Sequence, residues 1–178
     1  MSDAKDNPTL PTFLIAGAAK CGTTSLWAYL NQHPDVYMSP VKEVHFFDDE
    51  GEYAKGPPYY GLFFAGHASQ RAIGEASPNY LNGGEITRRI RDLLPDVRLV
   101  FIFRDPVRRA YSNYWHASKK GWSMPPFEDA LKGDRFPAML ETSRYARYLQ
   151  SYYDAFPRER ILCVLTEQLS KEPGAVLP

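Results

Sequence analysis

Apolar residues along the chain alternate between short continuous runs and helical stripes. Thr12-Phe13-Leu14-Ile15-Ala16 is a run ending at Gly17, the pattern of a strand buried on both faces. Thr23 to Gln32 carries Leu26, Tyr29 and Leu30 at helical spacing, and His33-Pro34 closes it. Val36-Tyr37-Met38 predicts a short strand leading into a Pro-flanked segment, Ser39 to Asp49. Residues 50–70 are rich in Gly, Pro and aromatics, predicting a loop with at most a short helix. A strand follows at Arg71 to Ala76, then a helix from Glu85 to Leu94 that stops before Pro95. Arg98-Leu99-Val100-Phe101-Ile102-Phe103 is the strongest strand pattern. Pro106 stands where a helix begins, its missing N–H costing nothing there, and that helix runs to about Lys120. Beyond a Gly/Pro loop come a small helix, Phe127 to Leu131, a longer one, Ser143 to Ala155, and a final buried strand, Arg160 to Leu165. Strands alternating with helices imply an α/β fold with a parallel sheet, whose ligands gather at the strand C-termini.

Composition narrows the chemistry. The 178 residues fit one domain, residues 12–178, behind a polar, Pro-containing lead-in at 1–11. Lys plus Arg equals Asp plus Glu, 21 of each, so no overall basic field draws the chain to nucleic acid, and any anion chemistry must be local. Cys21 and Cys163 make neither a disulfide framework nor a metal quartet. The polar start lacks the apolar run of a signal peptide, and no stretch approaches the ~20 apolar residues that span a bilayer. A reduced, cytoplasmic protein without a membrane segment is the economical expectation.

Two segments carry candidate phosphate sites. Gly17-Ala18-Ala19-Lys20-Cys21-Gly22-Thr23-Thr24 has the G-x-x-x-x-G spacing of a P-loop and sits between a strand and a helix. Small residues let backbone N–H groups turn inward, and the helix N-terminus adds positive potential. A nucleoside triphosphatase loop wants Lys after the second Gly; here that position is Thr23, and the lysine lies two places before the glycine, at Lys20. In the second segment, Arg104 follows the strand 98–103, and Ser112 shares a helix face with Arg108 four residues earlier. An arginine at a strand end and a hydroxyl from the next helix can hold one phosphate from two sides. Taken alone, each segment also reads as a surface turn or an exposed ion pair.

As a set, these segments resemble PAPS-dependent sulfotransferases, enzymes that use 3′-phosphoadenylyl sulfate. "AGAAKCGTTSL" is similar to the family's first signature and "VFIFRDPVRRAYSNYWH" to its second. "SPVKEVHFFD" and "GEASPNYL" resemble the Golgi-type branch that sulfates heparan sugars and its bacterial relatives, and "RYARYLQSYYDAFPRERILCVLTEQL" is similar to the family's helix-plus-strand segment. The resemblance implies a P-loop-type parallel sheet flanked by helices. Lys20 would stabilise the departing phosphate, while Cys21, Gly22, Thr23, Thr24 and Ser25 would cradle the 5′-phosphosulfate. Arg104 and Ser112 would bind the 3′-phosphate, and Glu43 matches the general base. His45 would help place or deprotonate the acceptor, and Asp48 would orient an acceptor hydroxyl or a neighbouring side chain. The acceptor would be a sugar or small metabolite, and no metal is implied. Trp122 is the aromatic best suited to stack on a sugar, whereas Tyr111, Tyr114 and Trp115 read as packing.

Two departures qualify the expectation. Heparan enzymes carry a lysine in the segment where this chain has Ala76 between Glu75 and Ser77. Family domains also continue where this chain reaches Pro178, so the sheet is expected to be incomplete at the C-terminus, with an exposed apolar face beside strand 160–165 and compromised activity. The competing readings are a non-catalytic nucleotide-binding fragment and an atypical P-loop kinase, which would require Mg²⁺ and ATP.

Overall fold

In the computed structural model, the described residues are 8–121, 124–133, 137, 140–172 and 174. Five parallel strands form one sheet: β1 (Phe13–Gly17), β2 (Val36–Met38), β3 (Ala72–Ala76), β4 (Arg98–Phe103) and β5 (Ile161–Leu165), in the order β2-β3-β1-β4-β5. The central strands are the apolar runs of the sequence: Leu14, Ile15, Leu99, Phe101 and Ile102 are fully buried. Parallel pairing requires a crossover between neighbours, and helices supply it. They are α1 (Thr23–Leu30), α2 (Glu50–Tyr53), α3 (Gly56–Gly61), α4 (Glu85–Leu93), α5 (Pro106–Lys119), α6 (Phe127–Ala130), α7 (Tyr145–Ala155) and α8 (Thr166–Lys171). The helix-flanked parallel sheet is the one expected from the pattern.

Three local expectations are corrected. Residues 50–70 are more helical than their composition implied. The Asp49 carboxylate caps α2 by accepting from the Glu52 N–H at 2.9 Å, and Pro57-Pro58 open α3, where their missing N–H groups cost nothing. A 3₁₀ turn, Leu62–Phe64, follows directly. The sequence also concealed α8 and a 3₁₀ turn at Pro78–Asn82. Finally, β5 is an edge strand with only Val164 buried, and Leu162 and Leu165 are about half exposed. Trp122 lies outside the described residues.

The topology places the chemistry. β1 and β4 are adjacent and parallel, with Gly17 opposite Phe101, so the turns leaving their C-termini emerge side by side. The Ala18 N–H donates to the Ile102 carbonyl at 2.9 Å, extending that pairing into the turn. On the other flank of β1, the Glu43 N–H donates to the Ala76 carbonyl at 2.9 Å, which draws the segment after β2 across the end of β3. Among the described residues no helix is long and apolar enough to cross a membrane.

Candidate active site

The turn after β1 is shaped by its glycines. A Cβ on Gly17 would lie 2.6 Å from Leu81 Cβ and 3.1 Å from the Pro78 carbonyl, so only glycine lets this turn approach the 78–82 turn. Gly22 precedes α1 in the left-handed region at φ 102°. Behind it the first N–H groups of α1 have no intrahelical acceptor, an arrangement whose positive potential favours anions.

Lys20, Gly22, Thr23, Thr24, Glu43 and Ser112 converge on one cleft of about 500 Å³. Pro78 and Asn79 close one wall, and Asn113, His116 and Lys120 another. Lys20, Glu43 and His45 adopt φ values of 69°, 62° and 58°. Left-handed backbone at non-glycine residues costs of order 1–3 kcal/mol each and clusters at functional sites. Among the described residues, no other non-glycine residue has positive φ.

The electrostatics of the cleft are coupled. Burial and the neighbouring cations Lys120, Lys42 and Arg109 lower the pKa of Lys20, against the pull of Glu43. Burial works to raise the Glu43 pKa, but the hydrogen bond and charge of Lys42, with His45 and Lys120, hold the carboxyl below its usual value. Glu43 is therefore ionised at neutral pH. His116 is lowered by burial and by Lys20 and Lys120. His45 Nδ1 contacts Asp48 Oδ2 at 2.9 Å, and its Nε2 stands 3.7 Å from Glu43 Oε2.

The remaining sequence-predicted residues fall elsewhere. Arg104 lines an adjoining groove of about 440 Å³ with Val107, Arg108, Tyr111, Trp115 and Phe127. Ser112 borders both spaces and joins them. Tyr111 and Trp115 are about half exposed at this groove, whereas Tyr114 is buried and donates to the Pro125 carbonyl at 2.7 Å. Ser25 is exposed and does not line the cleft. Cys21 is fully buried; its N–H donates to the Ala18 carbonyl, and its thiol meets the Tyr145 hydroxyl at 3.4 Å. Burial raises the thiol pKa, against the Tyr145 hydrogen bond and the charge of Arg109.

Several supporting residues escaped the sequence. The Arg109 guanidinium is buried; its Nε donates to the Ala19 carbonyl at 3.2 Å and its Nη1 to Ser143 Oγ at 2.9 Å. Helical periodicity held the clue, since Ala110, Tyr114 and Ala117 mark the buried stripe of α5 and Arg109 flanks it. His116 and Lys120 lie one and two turns beyond Ser112, on its face. Glu75 is fully buried beneath the 43–48 segment and accepts from the hydroxyls of Tyr60 (2.6 Å), Ser77 (2.7 Å) and Tyr80 (2.8 Å). Ser77 Oγ in turn accepts the His45 N–H at 3.2 Å, linking this buried network to the left-handed segment.

Residues 10–177 match the family described as the sulfotransferase domain. The chain belongs to that family. A sulfotransferase of Alicyclobacillus acidocaldarius is similar in structure, with a TM-score of 0.82 at 35% identity over 95% of this chain and 78% of that one. Heparan sulfate glucosamine 3-O-sulfotransferase 3B1 of Mus musculus is 32% identical over 175 residues, 94% of this chain and 44% of that protein. Heparan sulfate glucosamine 3-O-sulfotransferase 5 of the same species is 30% identical over 174 residues, 92% of this chain and 50% of that protein. This sulfotransferase-family chain thus spans half or less of these curated relatives. The family match sets the kinase reading aside. Among the described residues, no three His, Cys, Asp or Glu side chains are grouped to hold a metal ion.

Proposed function

We propose that this protein transfers a sulfuryl group from 3′-phosphoadenylyl sulfate to a hydroxyl or amine of a sugar or small-metabolite acceptor. One juxtaposition carries the reading: Lys20, the start of α1 and the ionised Glu43 face the same cleft. The 5′-phosphosulfate lies on the N–H groups and hydroxyls of Thr23 and Thr24. Arg104 and Ser112 take the 3′-phosphate, which passes from the cleft into the adjoining groove. The acceptor oxygen or nitrogen attacks sulfur, and its proton goes to the Glu43 carboxylate. As the new bond to sulfur forms, the bond from sulfur to the bridging oxygen breaks. Its electron pair stays on the departing phosphate, where Lys20 stabilises the developing charge. His45, held by Asp48, helps place or deprotonate the acceptor beside Glu43.

The sulfuryl group bears less negative charge than a phosphoryl group, so in this reading fixed cations and N–H donors suffice without a metal. The two free thiols, Cys21 and Cys163, support a reducing, cytoplasmic setting. The test is calorimetric titration with adenosine 3′,5′-bisphosphate, with and without Mg²⁺, followed by an assay of transfer from labelled donor. Metal-independent binding is expected, with transfer that Lys20→Ala lowers by about 10²–10³-fold while donor affinity changes little. Binding without transfer to any sugar or small-molecule hydroxyl or amine would leave a nucleotide-binding module and overturn the proposal.

A further inference from the structure

The two proposed phosphate loops touch a common set of residues that arrive late in the sequence. The Tyr145 hydroxyl, at the start of α7, donates to the Arg104 carbonyl at 3.0 Å. The Cys21 thiol lies 3.4 Å from the same hydroxyl oxygen. One hydroxyl therefore joins the turn after β1 to the turn after β4. Burial, and then the Cys21 contact, raise its pKa, so it stays protonated and a donor across the usable pH range. Its ring packs on Phe103, the last residue of β4, with centroids 4.6 Å apart. Thr166 Oγ1 makes a parallel tie, its one proton shared between the Cys21 and Phe103 carbonyls.

The geometry points to Tyr145 as a positioning residue that sets the spacing between the two phosphate loops, and so selects a nucleotide carrying phosphates at both 3′ and 5′ positions. The inference rests on the donor-site reading above. A ligand that spans two subsites binds its second group intramolecularly, with an effective concentration fixed by how well the subsites are held at the matching distance. Loosening the spacing penalises the bridging ligand and spares one that occupies a single loop. Loss of overall stability would weaken both alike.

The experiment titrates wild-type protein and Tyr145→Phe with adenosine 3′,5′-bisphosphate and with adenosine 5′-monophosphate, with melting temperatures measured alongside. Phenylalanine keeps the ring on Phe103 and removes only the bridge. The preference for the bisphosphate is expected to fall about five- to tenfold, the scale of one neutral hydrogen bond, with affinity for the monophosphate unchanged. Cys21→Ala breaks the same bridge from the other side and should lower the same ratio, so either variant that folds tests the idea. An unchanged ratio, or both affinities falling in proportion, would overturn it. A wild-type chain that does not distinguish the two nucleotides would refute the donor-site reading, and the bridge with it.

Discussion

Replacing Glu75 tests whether the buried hydroxyl network supports the site. Its carboxylate is fully buried and accepts from three hydroxyls, Tyr60, Ser77 and Tyr80. Glu75→Ala leaves those donors without their acceptor, at about 1–3 kcal/mol for each buried group that stays unsatisfied. Against this, removing the carboxylate relieves a desolvation cost, visible in the raised pKa of Glu75, which burial drives and the three hydroxyl donors oppose. The net expectation is a loss of about 3 kcal/mol, or roughly 6–12 °C in melting temperature for a domain of this size. Glu75→Gln keeps the volume and one acceptor oxygen and should lose about half as much. The assay is thermal unfolding by calorimetry from pH 4.5 to 8. Because the folded pKa of Glu75 lies above the ordinary 4.5, its contribution to stability is complete below that value and declines as pH rises toward the folded pKa. The wild type should therefore gain on Glu75→Gln as the pH falls from neutrality. An alanine variant melting within about 2 °C of wild type at pH 7, or a wild-type advantage that grows with pH, would refute the reasoning.

Three further outcomes are expected. Glu43→Gln should lower transfer by about 10²–10⁴-fold, and the acid limb of the wild-type rate profile should fall below the usual carboxylate range, because the ionised form is favoured; steady-state rates between pH 3.5 and 8 would check both. Arg104→Ala should weaken adenosine 3′,5′-bisphosphate by about 10–100-fold, consistent with a charge-assisted contact, and leave adenosine 5′-monophosphate nearly unaffected in calorimetric titration. Gly17→Ala places a Cβ against Leu81 and the Pro78 carbonyl, and should cost about 1–3 kcal/mol in denaturant unfolding.

Much of this fold was legible because its signals are local. Val36–Met38 and Arg98–Phe103 are strands with the bounds their apolar runs imply, and Pro106 opens α5 where its fixed geometry favours a helix start. The cleft residues Lys20, Gly22, Thr23, Thr24 and Glu43 were accessible through motif spacing and family likeness, since the turn after β1 carries its chemistry in consecutive residues. The supporting shell was not. Arg109 finds its acceptor 90 residues away at Ala19, and Tyr145 meets Cys21 across 124 residues. No local period encodes such partners. The β5 strand misled in part: its apolar composition fits a buried strand, whereas its place at the sheet edge leaves Leu162 and Leu165 exposed, in line with the exposed apolar face expected beside it. Residues 50–70 misled in the opposite sense: prolines that usually mark loops here stand at a helix start.

The left-handed backbone at Lys20, Glu43 and His45 has a consequence for engineering. Glycine adopts that conformation freely, so exchanging any of the three for glycine relieves a local penalty while deleting a side chain that the proposed transfer uses. A library sorted only for heat resistance or soluble yield would therefore drift toward glycine at these positions and, on the proposed mechanism, discard the chemistry it was meant to preserve. Selection on turnover would have to accompany selection on robustness, since at these three sites the two pull in opposite directions.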